Sequence, residues 1–412
     1  MDFPNHITTV LPIMKVKTFT AAILQKMSGI GNSQMKFIVH IVHLFLSMRG
    51  KKNYLMMARY GTYCEQSYRQ NFEKEFDFKS FNKKLIEENC GKELTWLFDP
   101  SHISKSGKKT PGTGYFWSGC AGCPKWGMEL SALALADIEN HTAMHYHAVQ
   151  TQYIKGEETL RSYYAKLLCD QAEELQKVSE VINLDAFFSK KPFVDSLCDA
   201  GFTLISRLQH NIYMRYAYTG PQKGGRGRPK EYDGKIDAKN VSTEHFKVIK
   251  SDDEEVVYEG IGHVRSLKRW CKLVIVNTLK DGKVDKAFIY FSTNRDTMGL
   301  TVFKYYRLRY QIEFLFRDSK GSLGLEDSQS RQEEALDFHF NISLTTLNIA
   351  KAVHWLSVPK EDRGAFSMAD IKTQYINELV LDKLIIIYGK DPSVEKNNPQ
   401  IKQLYQLGRI AA

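Results

Sequence analysis

The stretch Tyr306-Arg-Leu-Arg-Tyr-Gln-Ile-Glu-Phe-Leu-Phe-Arg-Asp-Ser-Lys320, with the residues from Thr297 that lead into it, decides how the chain is read. Its apolar positions recur at helical spacing, and each residue of a helix advances about 100° around the axis. On that wheel Tyr306, Arg309, Glu313, Arg317 and Lys320 fall within a sector about 80° wide. Lys304, Arg307, Gln311 and Asp318 form a second polar sector about 60° wide. Leu308, Ile312, Leu315 and Phe316 separate the two on one side, and Phe303, Tyr310 and Phe314 on the other. A surface helix needs only one solvent face, so a second polar stripe walled by aromatics must meet something other than bulk water. Glu313 and Arg317 are an i,i+4 pair, so an ion-pair network is one use of the stripe. The surplus of positive charge and the tyrosine hydroxyl fit a phosphate backbone better.

Upstream, residues 212–295 carry β-hairpin signals, the clearest being Lys280-Asp-Gly-Lys283 between the apolar runs 273–276 and 287–291. Asp-Gly suits the two-residue turn whose twist matches that of its strands. This block reads as a β-rich insertion. Ahead of it come strands at 94–98, 128–138 and 142–150, a helix over 159–178, and a strand ending at Asp185. A helix at 192–200 and a strand at 202–208 follow. Three strands, then alternating helix and strand, imply an α/β class with a mixed sheet and helices on its faces. Asp99 follows the run 94–98 and precedes Pro100, and Asp185 follows 181–184. Both are therefore expected at strand ends, where side chains reach solvent while the sheet holds them rigid. Aspartates so placed are also ordinary turn formers or helix caps, and the residues alone leave both roles open.

Residues 1–90 read as a helical N-terminal domain. Within it, 54–60, a turn at Gly61 and 64–76 have helix-turn-helix proportions. The second helix carries Gln66, Arg69, Gln70 and Lys74, side chains that reach base edges and phosphates, although a plain helical hairpin has the same pattern. Helices return at 297–320 and 333–356. The expected division is 1–90, 91–211, 212–295, 296–356 and a helical C-terminal appendage, 357–412. A length of 412 residues exceeds one ordinary core, and 57 Lys plus Arg against 47 Asp plus Glu leave a net charge of +10. That excess favours a polyanion, nucleic acid first. The longest apolar run, 37–46, is interrupted by His40 and His43 and is shorter than the roughly 20 residues a membrane span requires. Residues 1–15 lack the features of a secretory signal, and seven cysteines without framework spacing read as reduced thiols. A cytoplasmic protein is expected.

The spacing Tyr306-x2-Arg309-x3-Glu313-x6-Lys320 resembles the Y-x2-R-x3-E-x6-K signature of bacterial insertion-sequence transposases, the DDE cut-and-paste group called family four. The resemblance extends to Asp99 and Asp185 as the first two acids and covers roughly residues 90–350. It implies a ribonuclease H-like fold in which 212–295 is the insertion between the second aspartate and the glutamate, and 1–90 an end-binding domain. It implies Asp99, Asp185 and Glu313 as catalytic metal ligands. Three carboxylates can hold two divalent cations, and hard oxygen ligands suit Mg2+, with Mn2+ as substitute, over zinc. One ion would activate water or a 3′-hydroxyl and the other stabilise the leaving oxygen. The resemblance further implies that Tyr306, Arg309 and Lys320 bind terminal phosphates. The partners would be double-stranded DNA, as terminal inverted repeats and target, and a second copy of the chain in a synaptic homodimer. The setting would be the bacterial cytoplasm, at the nucleoid. The reaction would be nicking, hairpin formation, reopening and joining. Relatives stack a flipped base on an aromatic, for which Trp270 is a candidate or else a core residue. The rival readings are a structure-specific DNA endonuclease without strand transfer and a sequence-specific DNA-binding protein without chemistry. A carboxylate set among phosphate-binding cations argues against the second.

Other features stay open between contact and bland roles. Arg226 and Arg228, in Lys223-Gly-Gly-Arg-Gly-Arg-Pro-Lys230, suit a narrow A·T minor groove or a solvated basic loop. Lys105, Lys108 and Lys109, after Asp99, suit phosphate contact or a solvated loop. Cys120-x2-Cys123 looks like half a zinc site, with His141, His145 and His147 downstream. No second half completes it at finger spacing, so a turn with two thiols is expected. No Walker-type loop occurs, and nucleotide hydrolysis is not expected.

Overall fold

A computed structural model describes residues 12–152, 156, 159–222 and 228–410. Five helices come first: α1 (Pro12–Gln25), α2 (Asn32–Ser47), α3 (Tyr54–Tyr60), α4 (Glu65–Phe72) and α5 (Phe78–Asn89). Four strands follow: β1 (Leu94–Ser104), β2 (Gly114–Ser118), β3 (Cys123–Asp137) and β4 (Thr142–Gln150). Then come α6 (Leu160–Cys169), α7 (Ala172–Gln176), β5 (Val181–Asn183), a 3-10 turn (Ala186–Phe188), α8 (Lys191–Asp199) and β6 (Thr203–Leu208). In the sheet these strands lie in the order β4-β3-β1-β5-β6, with β1 antiparallel to β3, β3 antiparallel to β4, and β5 and β6 parallel to β1. Trp96, Leu97 and Phe98 are buried in β1, an unbroken apolar run of the kind a strand covered on both faces requires.

The sequence expectation for β1 is wrong at its end. The strand continues to Ser104, and Asp99 pairs with Ala132 in its interior. Pro100 does not end the strand, because β5 stops at Asn183, β1 has lost one neighbour by then, and a proline on an open edge costs little. The hairpin strand β2 has no counterpart among the strands expected from the sequence.

The block 212–295 forms β7 (Met214–Ala217), β8 (Tyr232–Lys235), β9 (Lys247–Ser251), β10 (Glu255–Val264), β11 (Arg269–Lys280) and β12 (Lys283–Ser292). The β11–β12 hairpin turns at Asp281 and Gly282 with φ of 51° and 70°, the positive values the Asp-Gly pair supplies. β12 pairs antiparallel with β6, so the insertion extends the central sheet. Among the described residues the whole forms one sheet of 12 strands.

The expected single helix over 297–320 is two: α9 (Gly299–Arg307) and α10 (Gln311–Ser322). Between them the backbone bonds skip three residues instead of four, as in Arg309 N to Tyr306 O (3.0 Å) and Gln311 N to Leu308 O (3.0 Å). Such tight winding turns each residue about 120° and displaces the second half of the wheel. The cause is tertiary. α9 packs on β10, β11, β12 and β6, where Val302 closes a small core with Ile205, Val257, Val274 and Val276, whereas α10 packs on β1 and β4.

α11 (Glu333–Ser357) lies over β4, buried for most of its length. α1 to α5 pack around it in one continuous apolar core with the sheet, with Phe72 against Phe338 at 4.6 Å. The chain closes with α12 (Met368–Ile387), α13 (Pro392–Glu395) and α14 (Pro399–Tyr405). Among the described residues no helix is long and apolar enough to cross a membrane.

Among the described residues β4 pairs with β3 alone, and two asparagines of α11 seal its free edge. Asn341 Oδ1 accepts from Ala148 N (3.0 Å) and its Nδ2 donates to Ala148 O (2.9 Å). Asn348 does the same for His145, at 2.8 and 2.7 Å. Asn341→Leu keeps the volume but strands both backbone groups of Ala148, and urea unfolding should show a loss of about 3 kcal/mol. A loss under about 1 kcal/mol would mean that the edge is sealed by something else.

Candidate active site

Asp99 lies in β1, and Asp185 lies just past the end of β5, its parallel neighbour. β1 and β5 pair in parallel through Trp96 with Ile182 and Leu97 with Asn183. The pairing ends there, two residues short of Asp99 on β1 and of Asp185 past the end of β5, and the charge of Asp185 reaches the Asp99 carboxyl. The exit of β5 is fixed by Ser206 Oγ, which donates to Leu184 O (2.8 Å) and Asp185 O (3.1 Å). The Asp185 carboxylate caps the 3-10 turn that follows, accepting from Phe187 N at 2.7 Å. Its cap role is therefore real, and a capping carboxylate keeps free lone pairs for another partner.

The glutamate arrives from α10. Burial first, and then the negative charges of Glu313, Asp185 and Glu129, push the Asp99 carboxyl up to about 7, against the pull of Arg309. The three acids named from the sequence thus share one electrostatic neighbourhood. Arg309 Nη2 donates to Glu313 Oε1 at 2.6 Å, with Arg309 16% and Glu313 53% exposed. Burial works against the Arg309 charge, but Tyr306, Glu313 and Asp99 hold its guanidinium above the ordinary arginine value. Tyr306 packs on Tyr290 of β12 at 4.8 Å, its hydroxyl raised by burial. Lys320 Nζ donates to His102 O at 2.6 Å and lies 3.5 Å from Glu326, which pins α10 to β1 three residues beyond Asp99.

Arg317 departs from the expected stripe. It turns from Glu313 to Asp318 (2.9 Å) and lies over the Phe314 ring at 4.3 Å. Glu313 and Arg317 both lie in α10, past the break, and there the Arg317 guanidinium is taken by Asp318 while Arg309 is the ion-pair partner of Glu313. Lys105 is not a solvated lysine, since its ammonium donates to Ser328 O and Ser330 O, both at 2.9 Å. Lys108 and Lys109 are exposed in the loop after β1. Arg69, on α4, pairs with Glu65 at 2.5 Å and covers the Tyr54 ring. Arg228 is exposed and pairs with Glu231 at 2.7 Å, while Arg226 lies outside the described residues. Trp270 stacks on Tyr232 at 5.6 Å, half-buried within the insertion. Cys120 and Cys123 sit at the β2–β3 hairpin, and His141 at the opposite end of β3, with His145 bonded to Asn341 in the core.

Sequence reasoning missed Glu129. It is 3% exposed on β3, bonded to the Tyr164 hydroxyl, and its charge reaches Asp99. The signal was present: a lone acid within the apolar run 128–136.

The donor set fits divalent cations in its chemistry. Three hard carboxylates share a region in which burial first, and then the neighbouring acids, raise the Asp99 carboxyl to about 7. Its side chains are not drawn together, however. Among the described residues no group of three or more His, Cys, Asp or Glu stands ready to hold a metal ion, and Glu313 is committed to Arg309.

The family model described as the transposase DDE domain matches residues 110–349, more than half of the chain. The chain belongs to the DDE transposase family. The matched region contains Asp185 and Glu313 and begins after Asp99. A solved structure of the piggyBac transposase synaptic complex with hairpin DNA is similar over 92% of this chain and 80% of that one, at 11% identity and a TM-score of 0.38. So slight a likeness bears on neither the fold nor the chemistry of this DDE transposase. No curated protein matches it.

Proposed function

We propose that this chain is a cut-and-paste transposase of the insertion-sequence type, family four, cleaving and joining DNA on a ribonuclease H-like sheet. The strand order β4-β3-β1-β5-β6, three antiparallel and three parallel with β1 shared, supports that fold. What supports the reading is that the charges of Asp185 and Glu313 both reach Asp99, with β1 and β5 paired in parallel just ahead of the two aspartates. Asp99, Asp185 and Glu313 would hold two Mg2+ or Mn2+ ions. Bound there, the ions would activate the attacking water or 3′-hydroxyl and offset charge on the leaving oxygen. Arg309 neutralises Glu313 until the site is filled, and its guanidinium is then free for a phosphate oxygen. Tyr306, on the adjoining turn, orients that guanidinium from 6.0 Å. Lys320 holds α10 to β1, so the glutamate and the first aspartate keep one spacing. Its contact with the His102 carbonyl makes its first task structural.

The partners would be duplex DNA carrying the element ends, target DNA, and a second copy of the chain in a bacterial nucleoid. The test is incubation of a labelled duplex with the element's own flanking ends in Mg2+ or Mn2+. Metal-dependent 3′-nicking with a joined product is expected. Cutting without joining would point to an endonuclease, and tight binding without cutting to a DNA-binding protein.

A further inference from the structure

A cavity of about 520 Å³ opens against α10 on the side that carries Phe314 and Arg317, and Glu313 is not among its lining residues. Its other walls come from the β3–β4 turn, the end of α11 and the segment that follows α11. Lys351, Arg317, Lys360 and Arg363 face two acids, Asp318 and Glu139, and both acids are engaged. Asp318 pairs with Arg317 at 2.9 Å, and Glu139 accepts the backbone N–H of Lys92 at 2.7 Å. The cavity therefore has positive charge to spare.

Lys351 is the unusual member. It is 3% exposed, and its ammonium donates to Ala143 O at 2.9 Å and Thr142 Oγ1 at 3.3 Å. No ion pair within 4.0 Å involves it among the described residues, and an ammonium has three donors. Asp318 acts on it from beyond ion-pair distance and is already paired with Arg317, so the buried ammonium is costly unless a ligand supplies further counter-charge. Burial has already lowered its pKa to about 8.

Each aromatic ring in the wall carries a cation. Arg317 lies over Phe314 at 4.3 Å, Lys351 over Phe366 at 5.6 Å, and Arg363 over Trp355 at 5.9 Å. Arg363 is also held to the Trp355 carbonyl at 2.8 Å, so its orientation is fixed. Flat rings and unneutralised cations in one concavity suit a ligand that joins a planar base to an anion. A base still paired within a duplex cannot enter.

We propose that this cavity receives one nucleotide of an unpaired DNA strand, its phosphate at Lys351 and Arg363 and its base against Trp355 and Phe366. The assignment rests on the transposase reading, because cutting one strand creates a free end that can fray from its partner. α10 then borders two sites, with Glu313 turned to the acids and Phe314 and Asp318 to the nucleotide.

The test is fluorescence anisotropy with the full chain in EDTA, comparing a short labelled oligothymidylate with a blunt duplex. Lys351→Met and Trp355→Ala should each weaken single-strand binding about tenfold and change duplex binding less than about twofold. Thermal unfolding checks that each variant folds, and Lys360→Ala, on the exposed rim, should lower the salt slope for the single strand by about one. Unchanged single-strand affinity in folded variants would overturn the proposal, as would equal losses for both DNA forms. Thymidine monophosphate that binds as tightly as the strand would overturn the strand assignment. Because no metal is present, failure of the pocket is separable from failure of cleavage. Wild-type protein that binds the strand through these residues but never cuts DNA would count against the transposase reading alone.

Discussion

Glu313→Gln should abolish metal-dependent nicking and joining, with a fall of about a thousandfold or more, equivalent to about 4 kcal/mol in the barrier. Glutamine keeps the size of the side chain and can still accept from Arg309, but it brings no negative charge to a cation. The fold should be indifferent. Glu313 is 53% exposed and its ion pair is the i,i+4 contact with Arg309, a type that contributes about 0.5 kcal/mol. The melting temperature should move by about 2 °C at most. Binding to end DNA should persist, and gel shift beside a cleavage assay separates the two. A variant that retains a tenth of the wild-type cleavage rate would remove Glu313 from the ligand set.

Asp99→Asn should make the metal-free protein more stable at pH 8 while ending catalysis. The Asp99 carboxyl is raised to about 7 by burial and by its acidic neighbours, against an ordinary value of 3.8. The folded state therefore binds more protons than the unfolded one between those two values, and stability falls as pH rises through that window. Three units correspond to about 4 kcal/mol as an upper limit. Asparagine does not titrate. The stability difference between variant and wild type, read from urea unfolding in EDTA, should be small near pH 4, grow up to pH 7 and then level off. Adding Mg2+ at pH 8 should stabilise the wild type and leave Asp99→Asn unmoved. A flat difference across the pH range would mean that the carboxyl is ionised at no cost.

Much of this was legible in the chain. The run Val181-Ile-Asn-Leu184 followed by an aspartate reads as a short strand with an acid at its exit, and β5 is that strand. The Lys280-Asp-Gly-Lys283 turn was equally plain, because only residues tolerant of positive φ fit it. The grouping of Tyr306, Arg309 and Glu313 was readable because all three lie within two turns of the kink. What failed had distant causes. No glycine or proline marks the break at 308–310, which arises because α9 follows the insertion while α10 follows β1 and β4. Arg317 is the exception and departs for a local reason, the competing carboxylate of Asp318 and the ring of Phe314 beside it. Pro100 signals an end only if the neighbouring strand continues, and the length of β5 is no property of β1.

The pairing of β12 with β6 carries a mechanical consequence. Hydrogen-bonded ladders join the insertion to β6, and β6 joins β5, which delivers Asp185. The insertion is thus no module swinging on a tether. Its distance to Asp185 is counted in strand widths and can change only by bending the sheet. Whatever the insertion grips is held to a fixed ruler whose zero is the second aspartate.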